Sequence, residues 1–252
     1  MFAPSIFTTQ RKTKMFEQKF RTITILLLLG LGSCTSPRLM LHQDLRDASD
    51  CYQVEGRMAL RFRPRLTYGP YSTTYVRRGA VRSYQWTAGV RTRGASQKMK
   101  IILANPSSGY FDTIQTYARM KEMDLPLWNG RIALPLTYRN LLTGEIRSGL
   151  GRTAVFALYP GDHPWSSVER CGHLEIPSEP LLEIFRYNTM EGGRQIPLAR
   201  GIGYRLVQNS RTIAQATVIN RGEVCISRDL DPDLEHRIAS LFSVIFLMQH
   251  LD

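Results

Sequence analysis

The densest grouping of nucleophile-type and metal-type side chains in the 252-residue chain is Asp162-His163, followed by Cys171-Gly172-His173. A thiol beside an imidazole is how a cysteine nucleophile meets its general base, and Cys, His and carboxylate together are zinc ligands. The spacing fits no common zinc pattern. One Cys and two His on loops read first as polar surface plus a buried thiol. Gly201-Ile202-Gly203 lacks the third glycine and the following helix of a dinucleotide fingerprint, and neither Gly-x-Ser-x-Gly nor His-Glu-x-x-His occurs. The expectation is a protein without catalytic site, metal or cofactor. Asp162, His163, Cys171 and His173 are the residues an enzyme reading would have to use.

A second chemistry is more extensive. From Gly56 to Phe111 there are 56 residues without one Asp or Glu, and eleven Lys or Arg. Arg61, Arg63 and Arg65 alternate with Phe62 and Pro64, so a strand puts all three guanidinium groups on one face. Arg77 and Arg78 follow, with Tyr68, Tyr71, Tyr75, Tyr84 and Trp86 interleaved. A run of charge alone reads as a solvated face. The functional alternative is docking on anionic headgroups, where guanidinium matches phosphate through paired donors and Tyr and Trp suit the interface. The whole chain leans the same way, with 33 Lys plus Arg against 21 Asp plus Glu, a net charge of +12.

The N-terminus selects among anionic partners. Lys12, Lys14, Lys19 and Arg21 precede the apolar run Ile23 to Leu29, which ends in Leu31-Gly32-Ser33-Cys34. That is an export signal, with Met15 a second plausible start, and its apolar run is too short to span a bilayer. The Leu-Gly-Ser-Cys tetrad resembles the lipobox of bacterial lipoproteins. The resemblance implies that residues 1–33 are removed and that Cys34 becomes an acylated N-terminus. Thr35 in place of Asp implies the outer membrane, facing the periplasm, if the host is Gram-negative. Loss of residues 1–33 removes five basic residues and one acidic one, leaving a formal charge of +8. Export speaks against nucleic acid, which the same charge would otherwise suit. Cys51, Cys171 and Cys225 remain in an oxidising compartment, either as one disulfide and one thiol or as three thiols, and their pairing stays open.

These residues must be carried by elements. Residues 34–50 read as a lipidated tether with a helical turn around Leu39 to Leu45. Beyond it, Tyr52, Val54, Met58, Leu60 and Phe62 alternate with polar residues, the period of a half-buried strand. Eleven further strand-like segments follow, from Tyr71–Val76 to Glu223–Ser227. Asn105-Pro106, Asn129-Gly130, Thr143-Gly144, Pro160-Gly161, Gly192-Gly193 and Asn209-Ser210 read as turns between them. Many short strands at such spacing predict one β domain over 51–252.

The chain ends on an apolar helix, expected over about 232–250. Asp231-Pro232-Asp233 caps its start, and from Leu234 to Leu251 only Glu235 and Arg237 are charged. A helix apolar on every face is buried on every face. The uncharged stretch from Ile238 to Leu251 is 14 residues, about 21 Å against a hydrocarbon core of about 30 Å, so protein rather than lipid must enclose it.

The strands around Gly203-Tyr204 to Val207 and Ile213-Ala214-Gln215-Ala216, the strand ending in Ile226, and Asp229-Leu230-Asp231 before the apolar helix resemble the end of the tubby-like superfamily, which includes phospholipid scramblases and LURP-type proteins. The resemblance covers about residues 202–252 and implies a closed antiparallel β-barrel around a buried hydrophobic C-terminal helix. The phosphoinositide-binding residues of tubby itself have no counterparts here. Tyr52-Gln53-Val54-Glu55-Gly56-Arg57, Tyr84-Gln85-Trp86 and Leu103-Ala104-Asn105-Pro106 are similar instead to the opening strands of outer-membrane lipoprotein carriers, which hold acyl chains in a half-barrel. The expected function is a lipid-anchored, non-enzymatic envelope protein binding anionic lipid or envelope polymer through Arg61, Arg63, Arg65, Arg77 and Arg78. The alternatives are an acyl-chain carrier and an envelope-polymer hydrolase.

Overall fold

A computed structural model describes residues 38–56, 65–127, 132–159, 170–194 and 202–248. Residues 1–37, and with them Cys34, lie outside the described residues, as do Arg61, Arg63, Asp162, His163 and His250. The described strands are β1 (Ser49–Gln53), β2 (Thr67–Tyr68), β3 (Tyr71–Arg78), β4 (Arg82–Ala88), β5 (Val90–Asn105), β6 (Tyr110–Leu127), β7 (Ile132–Ser148), β8 (Thr153–Leu158), β9 (Arg170–Glu175), β10 (Leu182–Tyr187), β11 (Gly203–Gln208), β12 (Arg211–Thr217) and β13 (Glu223–Ser227). One described helix, α1 (Pro232–Leu247), follows them.

Each neighbouring pair is antiparallel, in the order β1-β13-β12-β11-β10-β9-β8-β7-β6-β5-β3-β2. The circuit of twelve strands is brought nearly to closure just past β1, where the Glu55 amide donates to the Thr67 carbonyl at 2.8 Å and the Thr67 amide donates back at 3.1 Å. A barrel leaves no open sheet edge, which is the reason to close it. Alternation sets which side chains point in. In β8, Ala154, Phe156 and Leu158 are buried and Val155 faces out, while Ala157 on the outer side is covered as well.

Helix α1 packs within this barrel. Thirteen of its sixteen residues are buried, including Leu241, Phe242 and Val244. Asp231 caps it by accepting from the Asp233 amide at 2.9 Å, and Pro232 supplies a first position that needs no donor. No described helix is long and apolar enough to cross a membrane. The buried residues of the core and the whole ladder lie within residues 39–247.

Three local expectations change. Residues 38–48, read as tether, lie against the barrel: Leu39 and Leu45 are buried, and β1 already begins at Ser49. Asp44 accepts from the Thr212 amide, while Gln215 bonds both the His42 amide and the Met40 carbonyl. This cover explains why β12 is buried on both faces. The expected helical turn is present as a 3-10 turn at Gln43–Leu45.

The second change concerns Thr143-Gly144, which is not a turn but mid-strand in β7. A Cβ on Gly144 would come within 2.6 Å of the Phe156 ring and 2.5 Å of the Gln115 carbonyl oxygen. The glycine marks a close approach of neighbours rather than a bend. Third, the described part of the strand expected over Tyr52–Phe62 stops at Gln53.

Candidate functional site

Strands β5, β6 and β7 are 16, 18 and 17 residues long, far more than the barrel uses. Strand β8 accompanies β7 only as far as Leu142, and β3 accompanies β5 only as far as Met99. Beyond those points β4 replaces β3 as the neighbour of β5, pairing from Ser96 to Val90. The result is a four-stranded extension, β4-β5-β6-β7, projecting past one end of the barrel. From Lys98 to Val90 it reaches about 26 Å at 3.3 Å per residue.

Registers show which side chains share its outer face. Successive rows read Arg77 with Lys100, Lys98 with Tyr117, Arg82-Ser96-Arg119-Leu141, and Tyr84-Gly94-Lys121-Arg139. The last rows, at the tip, hold Trp86-Thr92-Met123 and then Leu125 with Leu134. A Cβ on Gly94 would lie 2.4 Å from the Tyr84 ring, so the missing side chain is what lets that ring lie across the strand.

The carboxylates of the same strand face the other way. In β6, Arg119, Lys121 and Met123 alternate with Met120, Glu122 and Asp124, and successive residues of a strand point to opposite faces. Arg93 on β5 holds both carboxylates, at 3.3 Å from Glu122 and 3.2 Å from Asp124. Both carboxylates are thereby held to one guanidinium on the inner face. The outer rows from Lys98 to the tip keep Arg82, Lys98, Arg119, Lys121 and Arg139, all exposed, and no carboxylate among the described residues. The tip adds large exposed apolar side chains, Trp86 at 64% and Leu134 at 49%, and Tyr84, 52% exposed, stands one row behind Trp86.

The expected headgroup residues divide. Arg65 and Arg77 are exposed. Arg78, next to Arg77 on β3, points the other way and donates from Nη2 to the Leu247 carbonyl at 2.9 Å, satisfying the last turn of α1. It is a helix cap. Arg119, Lys121 and Arg139 lie outside the acid-free window and were missed. Their signal was period-2 alternation of cation and anion along β6 rather than a run of like charge.

Cys171 is buried and unpaired, and burial pushes its thiol up to about 12, so it stays protonated at neutral pH. His173 stands with its ring 6.5 Å from Tyr159 and its Nε2 3.7 Å from the Glu175 carboxylate. Cys51 and Cys225, directly opposite in the β1–β13 ladder, form a disulfide.

Inside the barrel a polar cluster fixes α1. Arg237 and Asp112, each 1% exposed, approach to 3.3 Å, and Arg237 also donates to the Ile146 carbonyl at 3.2 Å. Ser240 donates to Asp112 at 2.7 Å. Tyr68 donates its hydroxyl to the Ala239 carbonyl. A buried charge persists only with such partners, so the cluster sets the depth and rotation of the helix.

Compared with protein-family models, with curated proteins and with solved structures, the chain matches none.

Proposed function

We propose that the chain is an exported, lipid-anchored, non-enzymatic envelope protein that binds anionic lipid through the outer basic face of β3 to β7. The observation that carries this reading is the sorting of charge on the extension: Glu122 and Asp124 turn inward to Arg93, leaving Arg82, Lys98, Arg119, Lys121 and Arg139 without counter-charge outside. Each cation near an anionic surface contributes about 1 kcal/mol. The Cys51–Cys225 disulfide supports an oxidising compartment, and the lipobox-like tetrad ending in Cys34 supports the anchor. Helix α1 inside a barrel agrees with the tubby-like reading of the C-terminal region. An acyl-chain carrier would need a cavity where α1 sits. A hydrolase with Cys171 as nucleophile would need a thiolate, and burial raises the Cys171 thiol.

Two measurements test the reading. Cys34→Ala should abolish acyl labelling and leave unprocessed precursor. A non-acylated chain starting at residue 35, exported behind a cleavable signal, should bind phosphatidylglycerol vesicles with a steep salt dependence that Arg119→Gln/Lys121→Gln/Arg139→Gln flattens. Unchanged labelling removes the anchor, and no vesicle binding at low salt removes the lipid ligand.

A further inference from the structure

The tip of the extension and the start of the domain lie at the same end of the barrel. Strands β5 to β7 project where β5 and β7 begin and β6 ends. In the antiparallel circuit that is the end where β10 finishes and β11 begins. There the described chain starts: the Met40 amide donates to the Thr189 carbonyl, the Glu191 amide donates to the Arg38 carbonyl, and Leu39 packs by Gly203, the first residue of β11.

We infer that the tip of the extension is a membrane wedge: Trp86 and Leu134 enter the interface of an anionic bilayer while Tyr84 lies with Arg119, Lys121 and Arg139 at headgroup level. This rests on the lipid-binding reading above and adds depth and orientation to it. Three observations converge. Trp86 and Leu134 occupy the last rows, with 64% and 49% of their surface open to solvent, and Tyr84 stands one row behind Trp86. The cations lie one and two rows behind Trp86, about 7 and 13 Å back at two residues per row, so Trp86 and Leu134 meet the bilayer ahead of them. Finally, an acyl anchor at Cys34 would stand four positions before Arg38, at most about 14 Å of chain. That is shorter than the extension, so an anchored barrel is held within reach of its own tip.

The bilayer is favoured over a second copy of the chain by charge. Stacking this face on itself would oppose five cations to five cations, whereas an anionic surface complements every row.

The test uses the non-acylated chain with Trp86 as the only tryptophan, through Trp128→Phe and Trp165→Phe. Phosphatidylglycerol vesicles carrying lipids brominated near the head of the acyl chain should quench and blue-shift Trp86, while aqueous acrylamide loses access to it. Tyr84→Ser/Trp86→Ser/Leu134→Ser should keep the salt slope of binding yet lose about ten-fold or more in affinity at 0.5 M salt, where the apolar contribution is what remains. The replaced side chains are exposed, so an unchanged melting temperature is expected and is checked first. Bound protein whose Trp86 is neither quenched nor shielded overturns the wedge while leaving the lipid-binding reading intact. Absence of binding at any salt overturns both.

Discussion

His236 Nε2 stands 3.8 Å from Asp112 Oδ2 inside the barrel, with both side chains at most 3% exposed, and the same burial moves their proton affinities in opposite directions. Desolvation raises Asp112 to about 6, against the opposing effects of the Ser240 bond and Arg237, and lowers His236 to about 4 with help from Arg237. A carboxyl raised on folding stabilises the fold below its unfolded pKa, near 4, and that contribution is lost as pH rises through 6. An imidazole lowered on folding stabilises the fold above 6.5, and that contribution is lost as pH falls through 4. Between pH 4 and 6.5 the two oppose each other, each at about 3 kcal/mol. Relative to the parent, His236→Gln should gain stability on acidification across that window and Asp112→Asn should lose it. Urea unfolding at pH 4.5 and 6.5 reads both. Slopes equal to the parent's would mean that neither group titrates on folding in this range.

Phe242 is fully buried near the middle of α1. Phe242→Asp places an unpaired charge in an apolar enclosure, at a cost of several kcal/mol against a total stability of about 5–15 kcal/mol. The chain should fail to give a cooperative melt by far-UV circular dichroism. A cooperative melt near the parental temperature would show that α1 is dispensable to the barrel.

The Cys51–Cys225 disulfide joins residues 174 apart, linking the first strand of the barrel to the last. Constraining so long a loop in the unfolded chain stabilises by about 2–5 kcal/mol. Cys51→Ala should lower the urea midpoint accordingly, and dithiothreitol should shift the parent but not the variant. Equal sensitivity of both to reductant would assign the effect elsewhere.

Gly144→Ala tests why a glycine sits mid-strand. The new Cβ meets the Phe156 ring and the backbone carbonyl of Gln115, and overpacking of this kind costs about 1–3 kcal/mol. Phe156→Leu, which removes one of the two obstacles, should make the alanine less costly than it is in the parent. Additive costs in the double variant would place the strain on Gln115 alone.

What the chain determines by itself is local. The short strand-like segments between turn signals, the Asp231-Pro232 cap and the apolar run of α1 are set by neighbours in sequence, and from them both the β class and the buried C-terminal helix are legible. Most strands pair with their neighbours in sequence, but the places where the sheet departs from that order are not local. The pairing of β3 with β5 past the intervening β4 and the opposition of Cys51 on β1 to Cys225 on β13 join strands that are not consecutive in the chain. Individual strand patterns do not encode those. For the same reason the acid-free window from Gly56 to Phe111 pointed toward a basic surface without locating it. Arg78 turned inward to cap α1, while Arg119 and Lys121 joined the outer face. Side-chain period assigns each residue a side of its own strand, and only the register of the assembled sheet says which sides add up to one surface.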